Sequence, residues 1–391
     1  MLLEVKSRFL MTIPQFFCPR RRMTVGSVLL MLTAGAVSGQ VFSEREFFYV
    51  GGKYVGSPGK QVMAGQMYVE VWRPRQVTKP YPIVFIHGGG QTGTNWMSTE
   101  GRVGWADYFL GQGYVVYLLD QPARGRSAWH ASTNGPLTMR ASESAVEHQD
   151  TAPELFGSWP QAKKHIQWPD GPESGRKGNP AFDAFYASNV ESLGSTEEIE
   201  RLVQTDGNAL LDKIGPAILV AHSQAGPTAW LLGDSRPKAV RAIVAVEPSG
   251  PPFRNSNSTG RLNGEELARP WGPTVIPLTY SPPAKSPADL SPVLEPLADA
   301  PDLSPCWKQA DPPRQLPNLQ GIPIVIVTTE ASYHSTYDHC TSKFLTQAGV
   351  KNTHLRLAEQ GIHGNAHFVM VEKNNLEVAA AIQKWLSANL K

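Results

Sequence analysis

Residues 217–226 read Ala-Ile-Leu-Val-Ala-His-Ser-Gln-Ala-Gly. An apolar run leads into His222 and Ser223, and small residues stand two positions either side of the serine, at Ala221 and Ala225. A strand that turns sharply into a helix holds its turn residue in strained backbone, and only small neighbours fit around it. The usual form of this turn has glycine at both outer positions; alanine is still small enough. The reading is a strand from Ala217 to Ala221, a sharp turn at Ser223 and a helix from Gly226 to Leu232. The Gln224 N–H would then lie at a helix N-terminus, where negative charge is favoured. A serine that merely caps a helix leaves the same pattern, so the decision rests on the rest of the chain.

Outward from this stretch, strand-like runs alternate with helix-like runs and no internal repeat is visible. That alternation predicts a mostly parallel sheet with helices on both faces. Glu46 to Val50 and Gln66 to Trp72 are expected to form an opening hairpin at the sheet edge. Further strands are expected at Pro82 to His87, Val115 to Asp120, Val240 to Val246, Ile322 to Thr328 and His354 to Leu357. Helices are expected at Trp105 to Leu110, Thr196 to Ile214, Ser335 to Ala348 and Asn375 to Leu390. Ser195-x-x-Glu198 is a capping box for the second of these. Residues 128–190 show no clean period and read as an insertion over the sheet. Residues 251–320 hold 15 of the 33 prolines and read as a long excursion outside the core.

Three further stretches carry chemistry. Ile86-His-Gly-Gly-Gly-Gln-Thr-Gly93 follows a strand, and its glycines allow backbone N–H groups to approach a developing oxyanion. Gly88 and Gly89 are the candidate donors, together with Gln224. The loop lacks the spacing of a phosphate-binding motif. Gly361-Ile-His-Gly-Asn-Ala-His-Phe-Val-Met370 follows the last strand and offers His367, with His363 as second choice, as a general base. Two carboxylates end strands where a base-orienting acid belongs: Glu247 after Val240 to Val246, and Glu330 one strand later. The residues alone leave both open.

The chain resembles a secreted bacterial esterase family of the α/β-hydrolase superfamily, in which the triad acid is a glutamate after strand six. The resemblance rests on Ile83 to Gly93, Gly104 to Leu110, Gly113 to Ser127, Ala221 to Gly226, Ile243 to Pro248 and Gly361 to Asn375. It implies the α/β-hydrolase fold with cap insertions, and a triad of Ser223, His367 and Glu247. Some relatives carry neighbouring cysteines in the glycine loop, where this chain has Gly89 and Gly90. The implied activity is hydrolysis of a small-molecule carboxylic ester through an acyl-enzyme, with no cofactor and no metal. A lactonase or thioesterase would use the same groups. A non-catalytic binding protein on this scaffold would be expected to have a damaged triad, and all three residues are present.

Several smaller features accompany these residues. Arg124-Gly-Arg126-Ser127 follows a strand end; the resemblance implies that this loop holds the floor of the site, and a structural salt bridge is expected there rather than phosphate binding. Ser332-Tyr333-His334 follows a strand in a mouth-facing position, to line the substrate site or simply to pack. Trp129, Trp159, Trp168, Phe182 and Phe185 could line an apolar pocket or simply pack a cap.

Composition agrees with an exported enzyme. Hydrophobic residues make up 41% and charged residues 18%, which supports a large core and argues against wholesale disorder. The formal charge of +2 owes much to residues 1–38; without them the body is slightly acidic, and a nucleic-acid partner has no electrostatic basis. Arg20, Arg21 and Arg22 precede an apolar stretch, Val25 to Val37, too short for a stable membrane anchor. Residues 1–38 are therefore expected to be a signal peptide cleaved near Ser38, which leaves 39–391 as one catalytic domain in the periplasm or outside the cell. Cys18 would leave with the signal. Cys306 and Cys340 remain and are expected to form a disulfide. A homodimer is compatible with the sequence, the proline-rich excursion being the expected contact.

Overall fold

Long apolar runs without alternation suit strands covered on both faces, and those runs become the centre of one sheet. The computed structural model describes residues 42–99, 101–139, 141–256, 262–263 and 267–390; the expected signal peptide lies outside them. The main strands are β1 (Phe42–Val55), β2 (Val62–Pro74), β3 (Ile83–Ile86), β4 (Val116–Asp120), β5 (Ala217–His222), β6 (Val240–Val246), β7 (Ile324–Thr328) and β8 (Thr353–Arg356). Their order across the sheet is β1-β2-β4-β3-β5-β6-β7-β8. β1 pairs antiparallel with β2, and β2 with β4. Every pairing from β4 to β8 is parallel. The hairpin stands at the edge as expected, but its strands run well past the predicted limits.

The main helices are α1 (Trp105–Gly111), α2 (Pro180–Ala187), α3 (Thr196–Ile214), α4 (Ala225–Ser235), α5 (Asp338–Gln347) and α6 (Asn375–Asn389). Alternate strand residues face opposite sides. Ile218 and Val220 pack with Trp105 and Phe109 of α1 and Ile382 and Leu386 of α6. Leu219 and Ala221 pack with Leu210 of α3, Trp230 of α4 and Phe344 of α5. The start of α3 is capped as expected, the Ser195 hydroxyl accepting the Glu198 N–H.

The proline-rich excursion departs from expectation. Phe253, Ile276, Leu278, Tyr280, Leu290 and Leu316 are buried in the second of these cores. Proline offers no N–H to a sheet, and among the described residues the short strands of this segment pair only with one another, not with the main sheet. Buried N–H groups still need acceptors, and helix carboxylates supply them. Glu200 of α3 accepts the N–H groups of Val275 and Ile276, each at 2.9 Å. Asp234 of α4 accepts the Thr279 N–H and hydroxyl, each at 3.0 Å. Cys306 of this excursion is disulfide-bonded to Cys340 of α5.

The first insertion is built of short turns around α2. Its Trp159, Trp168, Phe182 and Phe185 are buried, whereas Trp129 is 40% exposed. Phe185 meets Phe368 with ring centroids 4.7 Å apart, and Trp159 Nε1–H donates to the Ala331 carbonyl at 2.9 Å. These aromatics fasten the insertion to the loop before α6, through Phe368, and to the turn after β7, through Ala331. Among the described residues no helix is long and apolar enough to cross a membrane.

Candidate active site

The sheet order reverses between β3 and β5. β3 leads on to β4 on one side, while β5 lies on the other. The carboxyl ends of two such strands diverge into loops on opposite sides, which opens a crevice there. The loop after β3 carries Gly88 and Gly89, and the turn after β5 carries Ser223.

Ser223 has φ of +53°, a left-handed conformation costly for any residue but glycine. The turn is held by surrounding backbone. The Ser223 N–H donates to the Val246 carbonyl at 3.0 Å, and the Ser223 carbonyl accepts from Gly226 at 2.9 Å and Ser249 at 2.8 Å. Gly226 cannot be larger, because a Cβ there would lie 2.3 Å from Cβ of Pro248. Gly88 is also crowded on the other side: a Cβ would meet His222 Nδ1 at 2.9 Å and Ser223 Cβ at 3.0 Å.

His367, wholly buried, faces the serine. Its Nε2 lies 3.0 Å from Ser223 Oγ, and its Nδ1–H donates to Glu247 Oε2 at 2.7 Å. Glu247 is also buried and accepts three more hydrogen bonds: Thr329 N–H at 2.9 Å, Thr329 Oγ1–H at 2.6 Å and Ser332 Oγ–H at 2.8 Å. Complete burial pushes its carboxyl up to about 7, against the lowering influence of His334 and of the Thr329 donors. The second-choice residues sit elsewhere and pair with each other. Glu330 accepts from His363 Nδ1–H and from Lys164 Nζ, each at 3.1 Å, on the exposed side of the loop.

The Gly88, Gly89 and Gln224 N–H groups meet no protein acceptor among the described residues. Gly89, on the loop after β3, and Gln224, next to Ser223, are only partly covered. Arg124 ties the two sides together. Its Nη1–H donates to the Gly88 carbonyl at 3.0 Å and its Nη2–H to Gln224 Oε1 at 2.5 Å. Burial lowers this guanidinium to about 10, still a cation at neutral pH. Its neighbour Arg126 has the plainer role, ion-paired to Asp120 at 2.8 Å and to Glu70.

Other supports were not singled out from the sequence, since they act across long separations. His222 Nε2–H donates to the His367 carbonyl at 3.0 Å. Glu372 accepts the Ala366 N–H at 3.0 Å and His165 Nε2–H at 2.8 Å, and His165 Nδ1–H donates to Glu154 at 2.6 Å. The loop that carries His367 is thus pinned to the first insertion. His334 was noted only as mouth-facing; its ring in fact stacks on His367. The only sequence signal was its strand-end position. Glu247, His334 and His367 gather ligand atoms within 4.8 Å, yet Glu247 and His367 are already committed to one another and to Ser223. In the second such cluster, Cys306 and Cys340 are joined to each other.

A hydroxyl held by an imidazole, itself held by a buried carboxylate beside two free N–H groups, can form and stabilise a tetrahedral adduct at a carbonyl. The sequence pattern of the alpha/beta hydrolase family matches residues 83–381, and the chain belongs to that family. It is 45% identical over 343 residues to the probable secreted lipase phiG of Fungal sp. (strain ATCC 74256), covering 87% of this chain and 88% of that protein. It is also similar to a solved bacterial esterase, at 25% identity and a TM-score of 0.61, over 90% of this chain and 98% of that one.

Proposed function

We propose that this chain is an exported serine carboxylic ester hydrolase. The supporting observation is the continuous hydrogen-bond chain from Ser223 Oγ through His367 to Glu247. Ser223 attacks the ester carbonyl while His367 Nε2 takes its proton. The oxyanion is received by the N–H of Gln224 and by the Gly88–Gly89 loop, each donor contributing about 3 kcal/mol. His367 returns the proton to the leaving alcohol and then activates water to release the acid from the acyl-enzyme. Glu247 keeps the Nδ1–H tautomer and stabilises the imidazolium. None of these steps calls for a cofactor or a metal.

The names of the two similar proteins, a lipase and an esterase, support an ester as substrate. Export is supported by the expected signal at 1–38, by a relative named as secreted and by the Cys306–Cys340 bond. Residues 39–391 would then form the mature catalytic domain.

The test is hydrolysis of p-nitrophenyl esters from acetate to dodecanoate by the wild type and by Ser223→Ala. Turnover by the wild type, silence of the variant and covalent labelling of Ser223 by a fluorophosphonate are expected. A folded wild type that hydrolyses lactones or thioesters but no ester would transfer the same chemistry to another acyl substrate. One that hydrolyses none of them would sink the enzymatic reading.

A further inference from the structure

The turn after β7 reaches the proposed triad twice. Ser332 donates to Glu247 and accepts the His334 N–H at 3.2 Å. The His334 ring itself lies over His367, with planes within 7° and centroids 4.7 Å apart. Its orientation is held from several sides. Nδ1–H donates to Asp338 Oδ1 at 2.9 Å, and Asp338 Oδ2 accepts from Thr328 Oγ1–H at 2.8 Å. His354 Nε2–H closes the series on Thr328 Oγ1 at 3.0 Å. The Tyr333 and Tyr337 rings flank His334 at 4.5 and 4.8 Å. His334 and Asp338 are both buried.

We propose that His334 is a positioning residue for His367: bonded through Nδ1–H to Asp338 and stacked face to face on the base, it opposes a second positive charge there. This rests on the reading of Ser223, His367 and Glu247 as a triad. The charged groups facing His334 are Asp338 from α5, Glu247 from the end of β6 and Asp150 from the first insertion, with His367 stacked from the loop before α6. Burial works against charge on His334, but these carboxylates, Asp338 foremost, outweigh it and raise the ring above its ordinary value. A cation this close disfavours protonation of both members of the His367–Glu247 pair. The base stays free to lower pH, and the imidazolium formed on taking the Ser223 proton is a stronger acid toward the leaving oxygen. His334 itself neither gains nor loses a proton in the cycle.

The test uses the full chain and the pH profile of kcat/KM for a p-nitrophenyl ester, with His334→Gln, Asp338→Asn and His367→Ala beside the wild type. His334→Gln is expected to move the acid limb up by about one pH unit. Asp338→Asn is expected to move it the same way. KM is expected to change less than about threefold, since no substrate contact is removed. Nitrogen-15 NMR of the wild-type histidines at pH 7 is expected to show a doubly protonated ring that His334→Gln lacks. An unmoved acid limb in folded His334→Gln overturns the proposal. So does a neutral His334 in the wild-type spectrum, a readout that stands even if the variant does not fold. Turnover by His367→Ala would remove the triad reading and this proposal with it. If His367→Ala is silent while His334→Gln keeps the wild-type limb, only the present proposal fails.

Discussion

Replacing Glu247 by glutamine changes one proton and one charge while keeping the shape. The native carboxylate accepts four hydrogen bonds, two from Thr329, one from Ser332 and one from His367 Nδ1–H. In Glu247→Gln the amide oxygen can keep the Thr329 pair. Its NH2 then faces Ser332 and His367. The serine hydroxyl can rotate to accept. The imidazole can accept at Nδ1 only by carrying its proton on Nε2, 3.0 Å from Ser223 Oγ. A base with N–H aimed at the nucleophile cannot take the hydroxyl proton, and the charge opposite the imidazolium is gone as well. The expected loss in kcat is about a thousand- to ten-thousand-fold, or about 4 to 5.5 kcal/mol of transition-state stabilisation. Stability should change little, because a neutral amide is less costly to bury than a carboxylate already raised to about 7 by desolvation. The assay is steady-state hydrolysis of a p-nitrophenyl ester, with Tm recorded for every variant. Glu330→Gln is the control, since Glu330 serves a surface network with Lys164 and His363. A folded Glu247→Gln that keeps more than about a tenth of wild-type kcat, or a Glu330→Gln that loses as much, would refute the reasoning.

Three other outcomes are expected. Arg124→Met should lower kcat by about ten- to a hundredfold with KM nearly constant, because the Gly88 carbonyl and Gln224 lose the guanidinium that links them; an unchanged kcat would mean that the loop and helix hold themselves. His165→Gln should destabilise the fold by about 3 kcal/mol at pH 6, from a rise of the imidazole to about 9 between two glutamates. That contribution is full below the unfolded value of 6.5 and fades as pH passes 9, so the Tm gap between wild type and variant should close in alkali. A gap independent of pH would show that His165 acts through packing alone. Reduction of Cys306–Cys340, which closes a sequence separation of 34 residues, should cost about 4 kcal/mol on a chain-entropy estimate, read as a lower Tm in reductant.

The strand–turn–helix at 217–226 was legible because its cause is local. A strand covered on both faces leaves an unbroken apolar run, and a tight left-handed turn leaves small residues around Ser223. Most interior strands fell within one or two residues of their predicted ends for the same reason, and the parallel sheet followed from their alternation with helices. The cysteine pair was legible by elimination, since only two cysteines lie beyond the expected signal.

What stayed closed in the sequence depended on which loops meet at the sheet's carboxyl edge. Glu247 and Glu330 both end apolar strands, and His363 and His367 share one loop, so the residues alone left both pairs open and the family resemblance favoured Glu247. In the tertiary structure Glu247 and His367 meet across 2.7 Å while Glu330 and His363 meet on the outer side of the same loop. The proline-rich excursion carries no period because its short strands stay outside the main sheet, yet its apolar residues fill the core. They dock on carboxylates of α3 and α4, acceptors that lie 45 to 76 residues earlier in the chain. Arg124 reaches Gln224 over 100 residues and Glu372 reaches His165 over 207. Local pattern records what a residue's neighbours in the chain require of it; a hydrogen bond between distant segments exists only once the sheet has brought their loops together.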